Sequence, residues 1–177
     1  MTNEKVILVD EDDNVVGEME KMEAHRSGKL HRAFSIFILN KKGEMLLQQR
    51  ALNKYHSAGM WTNACCSHPR PGEDILVAAK RRLKEEMGME TALIHKGKFV
   101  YKTIENEKGF ENGLVEHELD HVFFGESGKD PKINKEEANA FKWVNLKELR
   151  KELKKTPWKF TFWFRVAFEL YFLEDAG

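Results

Sequence analysis

Residues 61–88 read WTNACCSHPRPGEDILVAAKRRLKEEMG, a turn followed by a helix, and the rest of the chain is arranged around them. Cys65, Cys66, His68, Pro69 and Pro71 crowd ahead of Gly72. The prolines fix φ, remove backbone donors and push the residues before them out of the α region, so a rigid loop is expected here rather than helix or regular strand. From Glu73 the pattern changes: Leu76, Ala79, Leu83 and Met87 recur at three- and four-residue steps, the apolar stripe of an amphipathic helix that Gly88 ends. The other face carries Arg81, Arg82, Glu85 and Glu86. Carboxylates in a last turn oppose the helix dipole. Two readings stand: ordinary i,i+4 ion pairs with the arginines, or a divalent metal.

With 177 residues, 41% of them apolar and 33% charged, the chain suits one compact domain with its own core. Lys+Arg and Asp+Glu both total 29, so no overall basicity points to nucleic acid, and an anionic ligand must be met by local charge. The start, MTNEKVILVD, is not an export signal, and no run of 18 apolar residues occurs. A cytoplasmic protein without a membrane partner is expected. The two cysteines, Cys65 and Cys66, are neighbours, a geometry that disfavours a disulfide and fits reduced thiols.

Outward from the central stretch, Lys5–Asp10 is a short strand, EDDNVVG a turn with a return strand, and Lys21–Arg26 a short helix or turn. His25 and His31 flank RSGKL, a loop-forming spacer that can present both imidazoles together, or leave them as plain surface histidines. Arg32–Asn40, KKGE and Met45–Arg50 make a hairpin pattern in a buried sheet. Leu93–Thr103 and Phe141–Val144 are strands. Asn145 with Glu148 starts a helix as a capping box, Pro157 marks its end, and the aromatic run Trp158–Leu173 reads as a core or interface helix.

LVEHELDHVFFGE satisfies HExxH literally at His117–His121. A zinc peptidase needs that motif on a helix, whereas this segment is β-rich. On a strand, His117, Leu119 and His121 face one way and Glu116, Glu118 and Asp120 the other, so two carboxylates at i,i+2 converge on one ion.

Glu73, Arg81, Leu83, Glu85, Glu86, Gly88 and Met89 resemble the Nudix box in register, with two departures: Ser67 stands where the box opens with Gly, and Arg82 where the hydrolases keep a Glu. Nudix hydrolases use these carboxylates to hold metals that activate water against a diphosphate. Arginine in place of one turns a metal ligand into a phosphate clamp, which disfavours hydrolysis. Together with TNACCSHPRPGE and VEHELDH, and over about Lys21 to Phe164, the chain resembles the type I isopentenyl-diphosphate isomerases, Nudix-fold enzymes of isoprenoid synthesis.

The resemblance implies an α/β fold, a Nudix-like α/β/α sandwich with a mixed sheet, as a single domain over residues 1–177. It implies that His25, His31, His68, Glu116 and Glu118 hold one divalent metal, Mn²⁺, Zn²⁺ or Fe²⁺, an N3O2 set that does not choose among them. Glu86 is expected to hold Mg²⁺ jointly with the substrate diphosphate. Lys21, Arg50, Lys54 and Arg82 match the diphosphate-contacting cations, and Trp158 the aromatic that faces a developing carbocation. Cys66 and Glu118 are the implied proton-transfer pair, with Tyr101 hydrogen-bonding nearby; the bland alternative for Cys66 is a small buried hydrophobe. The implied partner is a small-molecule diphosphate, converted by a monomer or weak homodimer. The competing functions are a Nudix hydrolase of a nucleoside or isoprenoid diphosphate and a non-catalytic metal- or diphosphate-binding module.

Overall fold

The computed structural model describes residues 4–173. Strands β1 (Lys5–Val9) and β2 (Val15–Glu20) form an antiparallel hairpin. The Asp10 carboxylate closes its turn by accepting from the Asp12 and Asn14 amides. Helix α1 (Lys21–Ser27) begins where the Glu20 side chain accepts from the Met22 and Glu23 amides, and it stops on Gly28 in the left-handed conformation. Lys21 and His25 stand one turn apart on it, on a single face.

Next come β3 (His31–Leu39), β4 (Glu44–Arg50), the short β5 (Trp61–Thr62) and β6 (Cys65–Ser67), and helix α2 (Ile75–Met87). Strands β7 (Leu93–Lys102), β8 (His117–Glu126) and β9 (Ala138–Asn145) follow. The chain then forms helix α3 (Leu146–Lys155), a 3-10 turn at Pro157–Lys159 and helix α4 (Phe162–Phe172).

The sheet is mixed. β3 runs parallel to β8 along its whole length, from His31 opposite Glu118 to Leu39 opposite Glu126, and β7 lies antiparallel on the other edge of β8. Two expectations need correction. The hairpin between β3 and β4 exists only at its turn: the strands pair at Leu39 and Met45 and then part, β4 going to β9 and β5. The loop expected at Cys65–Ser67 is strand β6, pairing Ile36 with Cys65, Ser35 with Cys66 and Phe34 with Ser67. Both prolines come after these residues, so their amides remain free to pair.

Side chains alternate across this sheet into two cores. Phe34, Ile36 and Ile38 of β3 pack with Ala78, Ala79, Leu83 and Met87 of α2, whereas Phe37 packs with Phe164, Phe168 and Phe172 of α4. The aromatic run is therefore a core helix. Truncating one of its fully buried rings, Phe164 for instance, costs about 3–5 kcal/mol. Asp74 caps α2 by accepting from the Val77 amide. Gly88 ends it at φ 60°, where a Cβ would lie 2.7 Å from the Lys132 carbonyl oxygen, so no other residue fits. Asn145 caps α3 as expected, but only half of the capping box forms, because Glu148 pairs with Lys151 instead of returning to the cap. Residues 117–126 are strand, which removes the helical HExxH reading.

Candidate active site

His25 on α1, His31 at the head of β3, His68 just after β6, Glu116 one residue before β8 and Glu118 within β8 meet in the interior. One ligand atom from each lies within 4.8 Å of all the others. Backbone carbonyls set the rings. His25 Nδ1 donates to the Lys21 carbonyl at 2.6 Å and His31 Nδ1 to that of Lys29 at 2.8 Å, so in the neutral imidazoles both Nε2 lone pairs point inward.

The set fits a divalent cation. Among the described residues, His31 Nε2 and Glu116 Oε2 are buried without a hydrogen-bond partner, a costly state that a bound ion would relieve. His68 Nε2 meets Glu118 Oε1 at 2.8 Å, and His25 Nε2 meets Glu116 Oε1 at 3.2 Å. Burial raises the cost of each carboxylate charge, yet the imidazoles hold Glu116 well below the usual range and Glu118 below it. Burial opposes a charge on His25, but Glu116 outweighs it and lifts the ring to about 9. Two buried carboxylates thus demand a positive charge here, supplied by a proton when no ion is present.

Asp120, the next carboxyl on that face of β8, stays outside the cluster. Its Oδ2 accepts from Ser35 Oγ at 2.7 Å, and burial with the Glu118 charge pushes its carboxyl well above the usual range.

Beside the cluster opens a pocket lined by Lys21, Arg50, Lys54, Arg82, Glu86, Cys66, Tyr101, Glu116, Glu118 and His68, among others. The four expected cations are all at it, and each has a protein partner. Lys21 pairs with Glu4 at 3.0 Å, Arg50 donates to the His56 carbonyl at 3.2 Å, and Glu137 bridges Lys54 and Arg82. Arg82 also reaches Glu85 and Glu86, each at 2.7 Å, and Arg81 pairs with Glu73 and Glu85. The plain ion-pair reading of this helix face is therefore realised. Glu86 is buried with both oxygens occupied, one by Arg82 and one by Gln48 at 3.0 Å.

Of the two thiols, Cys65 is fully buried against α2, while Cys66 points to the opposite face and lines the pocket. Burial pushes the Cys66 thiol far up, so at neutral pH it holds its proton. The Tyr101 hydroxyl donates to Glu118 Oε2 at 2.5 Å.

One expected residue does not come to the site. Trp158 sits in the 3-10 turn, 54% exposed, because α4 starts only after Thr161. Trp163, five residues on, is 3% exposed and lines the pocket in its place. The sequence pattern also gave no sign of His56, Tyr55 and Gln48, all at the pocket. His56 Nε2 lies 2.5 Å from Glu116 Oε1. A histidine two positions after Lys54 was the available signal, though a polar loop offers no periodicity to orient it.

Known proteins resemble this chain in sequence and fold. The family profile described as a NUDIX domain matches residues 29–164. Isopentenyl-diphosphate Delta-isomerase 2 of Aromatoleum aromaticum is 51% identical over 160 residues, covering 90% of this chain and 82% of the relative. Isopentenyl-diphosphate Delta-isomerase of Serratia proteamaculans is 48% identical over 175 residues, covering 99% and 92%. Among solved structures, DR0079 of Deinococcus radiodurans superposes with a TM-score of 0.71 over 86% of this chain and 90% of that one; at 20% identity it speaks for the fold alone.

Proposed function

Because the chain belongs to the NUDIX family and, within it, to the isopentenyl-diphosphate Delta-isomerases, we infer that it interconverts isopentenyl diphosphate and dimethylallyl diphosphate. The observation that carries this reading is the pocket itself, where a thiol and a carboxylate stand beside a cluster of cations. In one direction a proton is added to the terminal alkene carbon, a tertiary carbocation-like state forms at the branched carbon, and a proton leaves the adjacent CH₂. No P–O bond changes.

Cys66 and Glu118 divide the two transfers, and the reverse reaction exchanges their roles. Between them they carry one transferable proton: burial keeps the thiol neutral, while His68, 2.8 Å from Glu118 Oε1, helps hold the carboxylate ionised against the cost of burial. Positioned proton transfer contributes about 10²- to 10⁴-fold. Tyr101 fixes the direction of Glu118 through its Oε2. Trp163, rather than Trp158, offers the ring that faces the cation, an attraction of about 2 kcal/mol when desolvated. Buried aromatic neighbours keep out the water that would trap the cation as an alcohol.

His25, His31, His68, Glu116 and Glu118 hold a divalent ion, Mn²⁺, Zn²⁺ or Fe²⁺. When bound, it supplies the charge that keeps the carboxylates ionised at pH 7. Glu86 would hold Mg²⁺ together with the diphosphate once Arg82 turned from it to the phosphate oxygens, and Lys21, Arg50 and Lys54 would meet the same diphosphate in exchange for their present partners. The same reading takes residues 1–177 as one domain, cytoplasmic, monomeric or weakly dimeric, and without a nucleic-acid or membrane partner. Equal numbers of basic and acidic residues support the absence of nucleic acid. Among the described residues no helix is long and apolar enough to cross a membrane.

The test is turnover of isopentenyl diphosphate in D₂O. Deuterium should enter dimethylallyl diphosphate at the carbon that accepts the proton. Release of inorganic phosphate or of isopentenyl monophosphate, with no deuterated product, would return the chain to the hydrolases.

A further inference from the structure

We propose that His56 is a positioning residue of the metal centre, the group that holds Glu116 in place once an ion is bound; this rests on the reading that the five-residue cluster takes up a divalent cation. His56 is buried at 4% exposure, and its ring is fixed from three sides. It stacks on Phe110 at 4.6 Å between centroids and 21° between planes, and it meets Tyr55 and Trp163 edge-on at 4.5 and 5.8 Å. Arg50 holds its backbone carbonyl. This slot aims Nε2 at Glu116 Oε1, 2.5 Å away, without aligning it as a hydrogen bond, and among the described residues Nε2 has no other partner.

The two oxygens of Glu116 are unequally served. Oε1 faces both His56 Nε2 and His25 Nε2, whereas Oε2 has no partner among the described residues. His25 already donates through Nδ1 to the Lys21 carbonyl, so as a neutral ligand it has only a lone pair at Nε2 and nothing to donate to Glu116. Binding an ion therefore strips Oε1 of one of its two neighbours. His56 remains, and its surroundings favour the tautomer that can donate to Oε1. Ser57 Oγ, 3.3 Å from Nδ1, can donate into that nitrogen and leave the proton on Nε2. His56 is not among the side chains whose ligand atoms converge, so it reaches the ion only through Glu116. This is the outer-shell partnership that orients ligating carboxylates, and losing such a partner typically lowers metal affinity about 10- to 100-fold.

Two variants separate the donor from the packing. His56→Phe keeps a flat ring on Phe110 and removes the donor, whereas His56→Gln keeps a donor near the position of Nε2. Protein stripped with a chelator is titrated with MnCl₂ by calorimetry, and the melting temperature of each metal-free variant is recorded. Mn²⁺ affinity should fall roughly ten- to a hundred-fold in His56→Phe and recover most of that in His56→Gln, with metal-free melting temperatures close to the parent's. Should His56→Phe not fold, His56→Met against His56→Gln gives the same contrast, since the two side chains are nearly isosteric and only glutamine donates. Unchanged affinity in the donorless variant, or an equal loss in donor and donorless variants, overturns the assignment. Parent protein that takes up no Mn²⁺ overturns the metal reading and this one together, whereas uptake by the parent with an indifferent His56 overturns this one alone.

Discussion

The Tyr101 hydroxyl donates to Glu118 Oε2 at 2.5 Å, and both groups are buried. A short O–H bond to a carboxylate is of the stronger, charge-assisted kind, and removing it leaves the oxygen unpaired at a cost of about 1–3 kcal/mol. Tyr101→Phe should therefore lower kcat roughly ten- to a hundred-fold. KM for isopentenyl diphosphate should barely move, because the pocket cations lie elsewhere on its wall. Steady-state kinetics decide it; a KM effect with unchanged kcat would place the hydroxyl on the substrate instead.

Cys65 and Cys66 differ only in which face of β6 they occupy, and that predicts opposite consequences. Cys66→Ala should abolish turnover and leave the melting temperature nearly unchanged. Cys65→Ala should keep most of the turnover and lose about 1 kcal/mol of stability from the core against α2. Paired assays and thermal melts on the two variants check this, and the reverse pattern would shift the catalytic position by one residue.

The two proposed ion sites should separate by mutation. His68→Ala removes a ring from the convergent cluster and should strip the tightly held transition metal while the residual enzyme still responds to Mg²⁺. Glu86→Gln should weaken activation by Mg²⁺ and retain the first metal, since Glu86 lies outside the cluster. Elemental analysis after gel filtration, with a Mg²⁺ titration of activity, reads both. Equal loss of both metals in each variant would merge them into one site.

Asp120 gives a pH dependence with a definite sign. Burial and the neighbouring Glu118 charge favour its neutral form, so in the folded chain it titrates well above the ordinary aspartate value of 3.8. The unfolded chain ionises above that pH while the folded chain does not, so stability is lost as pH rises from there towards the folded value. Asp120→Asn is neutral throughout. It should melt higher than the parent at pH 7 in metal-free protein, with the difference vanishing near the ordinary aspartate value of 3.8. A gain that persists below that pH would have another origin.

Helix α2 was legible because two local signals agree, an apolar stripe and the Gly88 that ends it, while its Asp74 cap came to light only in the structure. The face carrying Glu116, Glu118 and Asp120 was legible too, since a strand has only two faces and the segment is too β-rich for a helix. What escaped was set by partners distant in sequence. The turn Asn40–Glu44 announces a reversal but not how far β3 and β4 stay together, and β6 takes β4's place along β3. Cys65–Ser67 become a strand only because β3 offers an edge. Trp158 and Trp163 sit in one aromatic run, and which of them lines the pocket is set by a helix start at Thr161–Phe162 that no strong cap announces: Thr161 makes no side-chain cap bond among the described residues.

The register that sets His31 opposite Glu118 joins two strands far apart in the chain, with α2 and β7 lying between them. Parallel pairing of this kind costs loop-closure entropy before any contact rewards it, which makes it slow to form. A nascent chain that has emerged only as far as β7 therefore owns three of the five proposed ligand residues and neither carboxylate. It lacks both carboxylates and the strand that places them against the imidazoles. If the cluster takes up its proposed ion, uptake during synthesis would have to wait for β8, so acquisition of the ion would report that this long-range pairing in the sheet is complete.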